Sequence, residues 1–475
     1  MDSLTTGQRA ISATAGLPDE EVRRWLALRP EFPLPGAASS EDFVRSRQAA
    51  AQFFEMGDAL LRRLPAKVER SEEETAAAES LKETLRTTRI RFLRVYAEMV
   101  YCELTDDYRN FVRAEELVYR AADRYPGLTP TRAAVEAERA CLQKDKDGVE
   151  IDQGIFLSQI LAHPRAGPHL IHAMLRPRPE SLERLAAFRH TGSADLGTAL
   201  VERRGKAGYL YAHNTRFLNA EDDSTTDALE TGVDLILLDP EIEVGVMRGA
   251  TVDHPRYRGR HVFSAGLNLT HLYYGKISFL FYMTRDLGYV HKIYRGLSGK
   301  EFLPNEPETT HEKPWIAAVE AFAIGGGCQL LLAMDYVLAE EGSFFNLPAR
   351  KEGIIPGTAN LRLSRFVGER LARQAILFDR EFPADSPEGR LLCDEVVPAE
   401  EMDVAIGRAV DGLTGSGIVS AAGNRKALRA GQEPLATFQA YMATYAREQA
   451  YCHFSPALIR NLEAHWRARS TKNAG

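Results

Sequence analysis

Apolar residues recur at helical spacing through the first part of the chain. They indicate helices over residues 40–64, 71–104, 108–125 and 130–143. An earlier helix is predicted where Pro18, which is suited to a first helical position, precedes three acidic residues. The region shows no internal repeat and no motif for chemistry. We therefore predict an N-terminal all-helical domain over residues 1–194 that docks on the rest of the chain or mediates oligomerisation.

The pattern changes near Asp195, where short strands begin to alternate with helices. Strands are predicted over 198–203, 208–213 and 242–247, with a helix over 222–235. This alternation predicts an α/β domain, which we place at residues 195–410. Residues 411–475 are predicted to form a C-terminal helical segment.

One stretch, residues 313–357, organises this α/β region. Residues 315–324 form a nearly continuous apolar run, which predicts one buried strand. Three glycines starting at Gly325 follow, and an apolar helix is predicted over 328–334. A strand, a glycine turn and a helix can hold an anion on free N–H groups. The glycine and lysine offsets of phosphate-binding loops are absent after Gly325, so an oxyanion is the better interpretation.

A second segment, residues 260–272, sharpens this interpretation. A short apolar strand is predicted to end at Ser264-Ala265-Gly266, ahead of an amphipathic segment. If the two strand ends meet in space, their exposed N–H groups form an oxyanion hole with two donors.

These two motifs, FSAG and GGG-x-x-L, resemble those of the crotonase (enoyl-CoA hydratase/isomerase) superfamily. The resemblance covers about residues 195–410 and implies a crotonase-like ββα spiral core. It also implies that the backbone N–H groups of Leu267 and Gly326 bind the thioester carbonyl of an acyl-coenzyme A.

Composition excludes several other classes of protein. The net charge of −7 and the lack of a basic block argue against nucleic acid as a partner. Five separated cysteines and scattered histidines suggest neither disulfides nor a metal site. The first ten residues do not resemble a signal peptide, and no apolar run reaches membrane-spanning length. We therefore expect a cytoplasmic protein without a membrane partner.

Two positions argue against hydration of a double bond. Hydratases of the superfamily use two glutamates, and here the corresponding positions hold Gln329 and Ala349. An amide exchanges no proton near neutral pH, and a methyl group has no polar chemistry. We therefore expect another reaction through the same enolate.

The long helical region and the motif around GGG-Cys328-Gln329 resemble a subgroup of cofactor-independent dioxygenases. This resemblance implies that (3,5-dihydroxyphenyl)acetyl-CoA and O₂ are converted to 3,5-dihydroxyphenylglyoxylate and CoA, without a metal or cofactor. It implies that the ring hydroxyls of this aryl-acetyl-CoA thioester are bound by Glu221, Arg285 and Gln329. The apolar chamber for O₂ is implied to consist of Leu269, Ala349 and Ile354.

Simpler interpretations of these residues stay open. Glu221 opens an acidic run and could cap a helix, and Arg285 could be a surface arginine. Gln329 stands in an apolar helix start and needs a polar partner if it is buried. The three chamber residues could be ordinary core. No general base is assigned, although His254 and His271 lie near the FSAG strand.

Other functions also stay open. The chain could be a thioester hydrolase, decarboxylase or isomerase of the same fold, or a CoA-binding protein without activity. Contacts to the CoA phosphates are not assigned, with Arg256, Arg258 and Arg260 as candidates. The resemblance implies a homo-oligomer, either a trimer or a dimer of trimers.

Overall fold

A computed structural model describes residues 17–303, 309–415 and 417–465. It divides into two compact units. The first comprises residues 17–170 and 442–454, and the second comprises 171–441 and 455–465. The predicted domain boundaries at residues 194/195 and 410/411 stay predictions. Residues 1–16 and 466–475 of the two predicted terminal segments lie outside the described chain.

The first unit is helical. Its helices are α1 (Asp19–Ala27), α2 (Ser40–Leu61), α3 (Glu72–Thr105), α4 (Ala114–Arg124), α5 (Arg132–Arg139) and α6 (Ile151–Ala162), followed by α7 (Ala166–Met174), which continues into the second unit. Pro18 directly precedes α1 and does not occupy its first helical position. The side chains of Ser39 and Ser71 cap α2 and α3, each in a reciprocal pair with an acid three residues later. These capping boxes explain why both helices begin where the sequence predicts.

The second unit contains ten strands in its described residues. They are β1 (Ser193–Asp195), β2 (Ala199–Arg204), β3 (Ala207–Ala212), β4 (Val244–Gly249), β5 (Trp315–Val319), β6 (Phe322–Ile324), β7 (Tyr336–Glu340), β8 (Phe344–Asn346), β9 (Phe382–Pro383) and β10 (Glu395–Val397). Seven form a sheet in the order β1-β2-β3-β4-β5-β7-β10, which is parallel from β3 onwards. The other three form a small sheet in the order β6-β8-β9.

Helices connect and follow these strands. They are α8 (Pro179–Thr191), α9 (Asp223–Leu238), α10 (Leu269–Tyr273), α11 (Phe279–Leu287), α12 (Tyr289–Arg295), α13 (Gly326–Leu331), α14 (Ala349–Glu352), α15 (Ala359–Phe378), α16 (Met402–Thr414), α17 (Ile418–Gln432), α18 (Leu435–His453) and α19 (Pro456–His465). Helix α18 contributes residues to both units.

The large sheet is buried on both faces, as its parallel strands require. Along β5, Trp315, Ala317 and Val319 join one apolar cluster. Ile316 and Ala318 join another, on the opposite face of the sheet. This arrangement explains why β5 is apolar at every position. No helix of the described chain is both long enough and apolar enough to cross a membrane.

Two predictions around the glycine motifs were wrong in detail. The apolar run 315–324 is not one strand, because Ala321 adopts a left-handed conformation (φ +61°) and separates β5 from β6. The strand predicted before Gly266 forms only isolated bridges, such as Ser264 with Ala323, and no extended ladder. The helix predicted over 328–334 is observed as α13, whose first residue is Gly326.

Candidate active site

The two glycine motifs of the second unit lie against each other and carry the backbone N–H groups of Leu267 and Gly326. Glu221 pairs with the second motif, because its N–H donates to Gly266 O (2.6 Å) and its C=O accepts from Asn268 N (2.8 Å). The intervening N–H of Leu267 therefore points away from Glu221. Within the described residues, neither Leu267 N–H nor Gly326 N–H donates to another protein group.

Glycines allow the two motifs to approach each other. A Cβ atom on Gly266 would lie 2.6 Å from Ile324 O and 3.1 Å from Gly326 N, and its φ of +78° also favours glycine. Gly325, with φ +51°, precedes α13 and donates to Asn346 O (2.8 Å). The structure thus brings together the two segments that carry the predicted donors Leu267 and Gly326.

A buried polar cluster lies against the second of these donors. Arg285 donates from Nε to Glu221 Oε2 (2.7 Å) and from Nη2 to Glu221 Oε1 (2.9 Å). Its Nη1 donates to Gln329 Oε1 (2.9 Å), so the buried amide has the partner it needs. Its Nη2 also donates to Gly326 O (2.9 Å). The three side chains predicted to bind the ring hydroxyls therefore form one hydrogen-bonded group.

The simpler interpretations of Glu221 and Arg285 do not hold. Asp222, not Glu221, caps α9 by accepting from Ser224 N (3.0 Å). Arg285 is only 3% exposed and Glu221 only 4% exposed. Burial lowers the pKa of Arg285, but the nearby Glu221 carboxylate outweighs it and raises that pKa well above its usual value.

Sequence reasoning missed other members of this cluster. The Tyr289 hydroxyl donates to Glu221 Oε2, and burial together with the Glu221 charge raises the tyrosine's pKa. Arg285 also donates to Asp286 Oδ1 (3.0 Å). A Cβ atom on Gly357 would lie 2.4 Å from Gln329 Oε1, and Gly357 O accepts from the hydroxyl of Tyr441. Of these residues, only Gly357 lies within the stretch 313–357 that the sequence singles out.

Of the three residues predicted to form an apolar chamber, Leu269 lines a cavity of about 560 Å³, whereas Ala349 and Ile354 are not among the described residues that line it. Leu269 lines this cavity together with Pro348, the residue before Ala349. Ile354 N donates to Ala349 O (3.0 Å), which holds these two residues together around the short helix α14. The cavity reaches the two motifs through Ala265 and Ile324.

Charged residues mark another part of this cavity. Arg256, Lys351 and Glu352 contribute to its lining. Burial raises the pKa of Glu352 to about 8, and the charge of Asp379 adds to the effect. Of the three arginine candidates for CoA phosphates, Arg258 pairs with Asp253 (2.8 Å) and Arg260 pairs with Glu340 (2.6 Å). Arg256 is the one that lines the cavity.

Comparison with known proteins decides the family. A (3,5-dihydroxyphenyl)acetyl-CoA 1,2-dioxygenase from Amycolatopsis orientalis is 47% identical over 404 residues, which cover 85% of this chain and 92% of that protein. The chain belongs to the (3,5-dihydroxyphenyl)acetyl-CoA 1,2-dioxygenase family of the crotonase superfamily. The α/β crotonase fold with a helical N-terminal region and C-terminal helices, predicted from the sequence, is confirmed.

This dioxygenase-family chain is also similar, at lower identity, to hydratases. Residues 298–451 match the enoyl-CoA hydratase/isomerase family. A probable enoyl-CoA hydratase from Rhizobium meliloti is 29% identical over 214 residues, or 45% of this chain and 74% of that protein. The crystal structure of an enoyl-CoA hydratase from Mycobacterium avium subsp. paratuberculosis aligns with a TM-score of 0.47 at 21% identity, covering 58% of this chain and 97% of that one.

The histidines considered as bases have structural partners in this dioxygenase-family chain. His271 Nδ1 lies 2.9 Å from Asp222 Oδ2, and its ring packs edge-on against Phe217. His254 Nδ1 accepts from the backbone N–H of Arg256 (3.3 Å). Across the described residues, no group of three or more histidine, cysteine or acidic side chains is arranged to hold a metal ion.

Proposed function

We propose that this protein is a dioxygenase that converts (3,5-dihydroxyphenyl)acetyl-CoA and O₂ into 3,5-dihydroxyphenylglyoxylate and free CoA. The observation that carries the proposal is the 47% identity to the Amycolatopsis orientalis dioxygenase over 85% of the chain. The Glu221–Arg285–Gln329 cluster beside two unpaired N–H groups supports it.

The Leu267 and Gly326 N–H groups form the oxyanion hole in this proposal. Both donate to the thioester oxygen, and their bonds strengthen as loss of a Cα proton moves negative charge onto that oxygen. A single donor of this kind contributes about 2.7–4 kcal/mol to the transition state in well-studied enzymes. The contact from Arg285 Nη2 to Gly326 O orients the peptide unit next to the donor.

The buried cluster recognises the aryl ring. A carboxylate such as Glu221 accepts hydrogen bonds from hydroxyl groups, whereas the Gln329 amide can both accept and donate. Arg285 holds Glu221 and Gln329 on one side of the site. A substrate that lacks the ring hydroxyls would leave these buried groups without their ligand partners, which predicts strong discrimination.

The enolate then reduces O₂. One electron passes to O₂, the two radicals combine into a Cα peroxide, and the peroxide oxygen attacks the thioester carbon. Cleavage of the C–S and O–O bonds yields the α-keto acid with both oxygen atoms of O₂, while the two Cα hydrogens leave as protons to the thiolate and to solvent or carboxylate. Leu269, Ala349 and Ile354 supply apolar surroundings that exclude water from the enolate.

The cavity lined by Arg256 and Lys351 fits the CoA portion of the substrate. Lys351 interacts with the charge of the neighbouring Glu352, whereas Arg258 and Arg260 are paired with acids, so Arg256 is the arginine best placed for a phosphate group. The route requires no metal or organic cofactor.

Oxygen uptake and free thiol, measured together after adding (3,5-dihydroxyphenyl)acetyl-CoA in the presence of a metal chelator, test the proposal. Equal rates of O₂ uptake and CoA release are expected. Thiol release without O₂ uptake would instead identify a thioester hydrolase, and no change in either channel would contradict an enzyme acting on this thioester. Gln329→Ala should lower kcat/KM at least 10-fold, whereas the exposed control Gln374→Ala should leave it unchanged.

We also propose that the protein is a cytoplasmic homo-oligomer, a trimer or a dimer of trimers, as its superfamily resemblance implies. Light scattering should give three or six times the chain mass of 52.8 kDa. A mass of one or two chains would contradict this proposal.

A further inference from the structure

Glu352 places a carboxyl group in the active-site cavity that the chemistry proposed above does not use. It lines this cavity together with Leu269 and Pro348. The residue is partly exposed, and its carboxyl group accepts no hydrogen bond from the described residues. A carboxyl group in a cavity, without a protein donor, is available to take a proton from a bound ligand.

The residues that surround the enolate in the proposed function are also the neighbours of Glu352. Ala349 and Glu352 are the first and last residues of α14, and their separation of three positions places both on one face of this helical turn. Ile354 N donates to Ala349 O (3.0 Å), which folds the chain back against the same turn. Leu269, two positions after the donor Leu267, lines the cavity with Glu352. This arrangement puts Glu352 in the part of the cavity that holds the reacting carbon.

The surroundings of Glu352 suit a group that exchanges a proton near neutral pH. Burial raises its pKa to about 8, and the charge of Asp379, directly after α15, adds to this effect while that of Lys351 opposes it. The other polar residues of the cavity lining are Arg256, Tyr257, Asn346 and, from α19, Asn461. A general base is most effective when its pKa lies near the working pH.

We propose that Glu352 is the general base that removes a Cα proton from the thioester, an inference that rests on the dioxygenase function proposed above. The Glu352 carboxylate takes the proton, and the electron pair of the Cα–H bond forms the enolate, whose charge lies on the oxygen held by Leu267 and Gly326. After O₂ has reacted and the C–S bond has broken, the protonated Glu352 gives its proton to the CoA thiolate. This transfer restores the carboxylate for the next turnover.

Hydrogen exchange at Cα in the absence of O₂ tests this step separately from the oxygen chemistry. The full-length protein is incubated anaerobically with (3,5-dihydroxyphenyl)acetyl-CoA in D₂O, and deuterium at Cα is measured by mass spectrometry. Glu352→Gln should slow this exchange at least 100-fold relative to wild type, since a general base typically contributes about 10²–10⁴-fold. Oxygen uptake under air should fall by a similar factor.

Two further measurements separate a chemical role of Glu352 from a structural one. In wild type, kcat/KM should rise up to about pH 8, where the carboxyl group ionises, and this inflection should be absent in Glu352→Gln. Glu369→Gln makes the same change on α15 in a side chain that is 80% exposed, and it should leave exchange and oxygen uptake unchanged. Circular dichroism establishes that Glu352→Gln is folded.

Exchange and oxygen uptake at wild-type rates in Glu352→Gln would overturn the inference and leave the dioxygenase function intact. Slower oxygen uptake with wild-type exchange would also overturn it, because Glu352 would then act after the enolate has formed. Oxygen uptake by wild type without any Cα exchange would overturn it as well, since a partly exposed carboxyl group exchanges its own proton with D₂O. Absence of oxygen uptake by wild type would instead contradict the dioxygenase function on which the inference rests.

Discussion

At the scale of residues, a buried ion pair lies at the centre of the candidate site. Glu221 and Arg285 are 64 positions apart in the chain, yet they form a two-point contact in the interior. Burying both charges is tolerated because each has several polar partners. Gln329 and Tyr289 supply two of these partners.

Tyr289→Phe removes the hydroxyl donor to Glu221 and should act as a change in positioning. We expect kcat/KM for the dihydroxyphenyl thioester to fall roughly 10-fold, because a hydrogen bond to a charged group typically contributes about 1.5–3 kcal/mol. The loss should be much smaller for phenylacetyl-CoA, which has no ring hydroxyl to position. Oxygen-uptake kinetics with both thioesters measure this difference.

Tyr274→Phe is the matched control, because Tyr274 is 42% exposed. Equal losses for both thioesters in Tyr289→Phe would show that Tyr289 stabilises the fold without orienting Glu221.

Ionisation of Glu352 should lower the stability of the fold at alkaline pH. Its folded pKa is about 8, above the usual 4.5, so folding favours the protonated form. The contribution of this raised pKa to the free energy of unfolding is fully present below pH 4.5 and is lost as pH rises towards 8. Glu352→Gln should therefore raise the melting temperature relative to wild type at pH 9 and change it little at pH 4.5. We expect a gain of roughly 1–3 kcal/mol at pH 9, because the cavity partly hydrates this carboxyl.

Thermal unfolding at the two pH values measures the effect of Glu352→Gln. Glu369→Gln, on the exposed face of α15 with a side chain 80% exposed, is the control and should show no such dependence. A pH-independent change in Glu352→Gln would contradict the raised pKa.

At the scale of elements, the turn between β5 and β6 places the glycine motif at the candidate site. The chain leaves the large sheet at Glu320 and Ala321 and enters the small sheet at β6. Glu320 is held by Arg248 of β4 (Nε to Oε2, 2.8 Å), and Ala321 N donates to Glu340 Oε2 (2.8 Å). These contacts stabilise the left-handed residue and direct β6 towards Gly266.

Gly266→Ala should separate the two motifs. The new Cβ would lie 2.6 Å from Ile324 O and 3.1 Å from Gly326 N, so the two N–H donors would move apart. We expect at least a 100-fold loss of kcat, since the loss of one oxyanion donor costs about that much. Steady-state oxygen uptake measures the loss.

Gly259→Ala is a matched control for backbone conformation. Gly259 also has a positive φ (+74°), but a Cβ atom added there would have no other atom within 4 Å. This variant should lose about 1 kcal/mol of stability and keep its activity. Similar activity in the two variants would show that close packing at Gly266 does not position the donors.

At the scale of the whole molecule, each unit contains an acid whose pKa is lowered by its partners. Burial raises the pKa of Asp222, but hydrogen bonds from His271, Ser224 and Asn268 outweigh it and lower the pKa to about 2. In the helical unit, burial likewise opposes the contacts from Arg70 and Lys82, which lower the pKa of Asp147 to about 2. Both carboxylates stabilise the fold in their ionised form.

Asp222→Asn should therefore lose stability at neutral pH and little at low pH. The contribution of Asp222 is complete above its usual pKa of 3.8 and disappears as pH falls towards 2. We expect a loss of roughly 2 kcal/mol at pH 7. Calorimetry at pH 7 and at pH 2.5 measures the difference, with the exposed Asp253→Asn as control. An equal loss at both pH values would contradict this prediction.

Local patterns in the sequence were enough to predict most elements and to predict that the two glycine motifs approach each other. Helical spacing and capping residues are local, so α2 and α3 were predictable to within a few positions. The Gly266 and Gly325 motifs could be recognised in the sequence because a close approach of two backbones requires glycine.

The side chains that complete the site emerge only when the chain is folded. The left-handed conformation of Ala321 separates β5 from β6. Hydrophobic periodicity cannot predict this break, because the strands on both sides of it are buried and apolar. Tyr289 and Asp286 join Glu221 and Arg285 through contacts between distant segments, and no local pattern encodes such contacts. The same reason applies in the helical unit, where Arg86 and Arg89 of α3 are buried against Asp152 of α6.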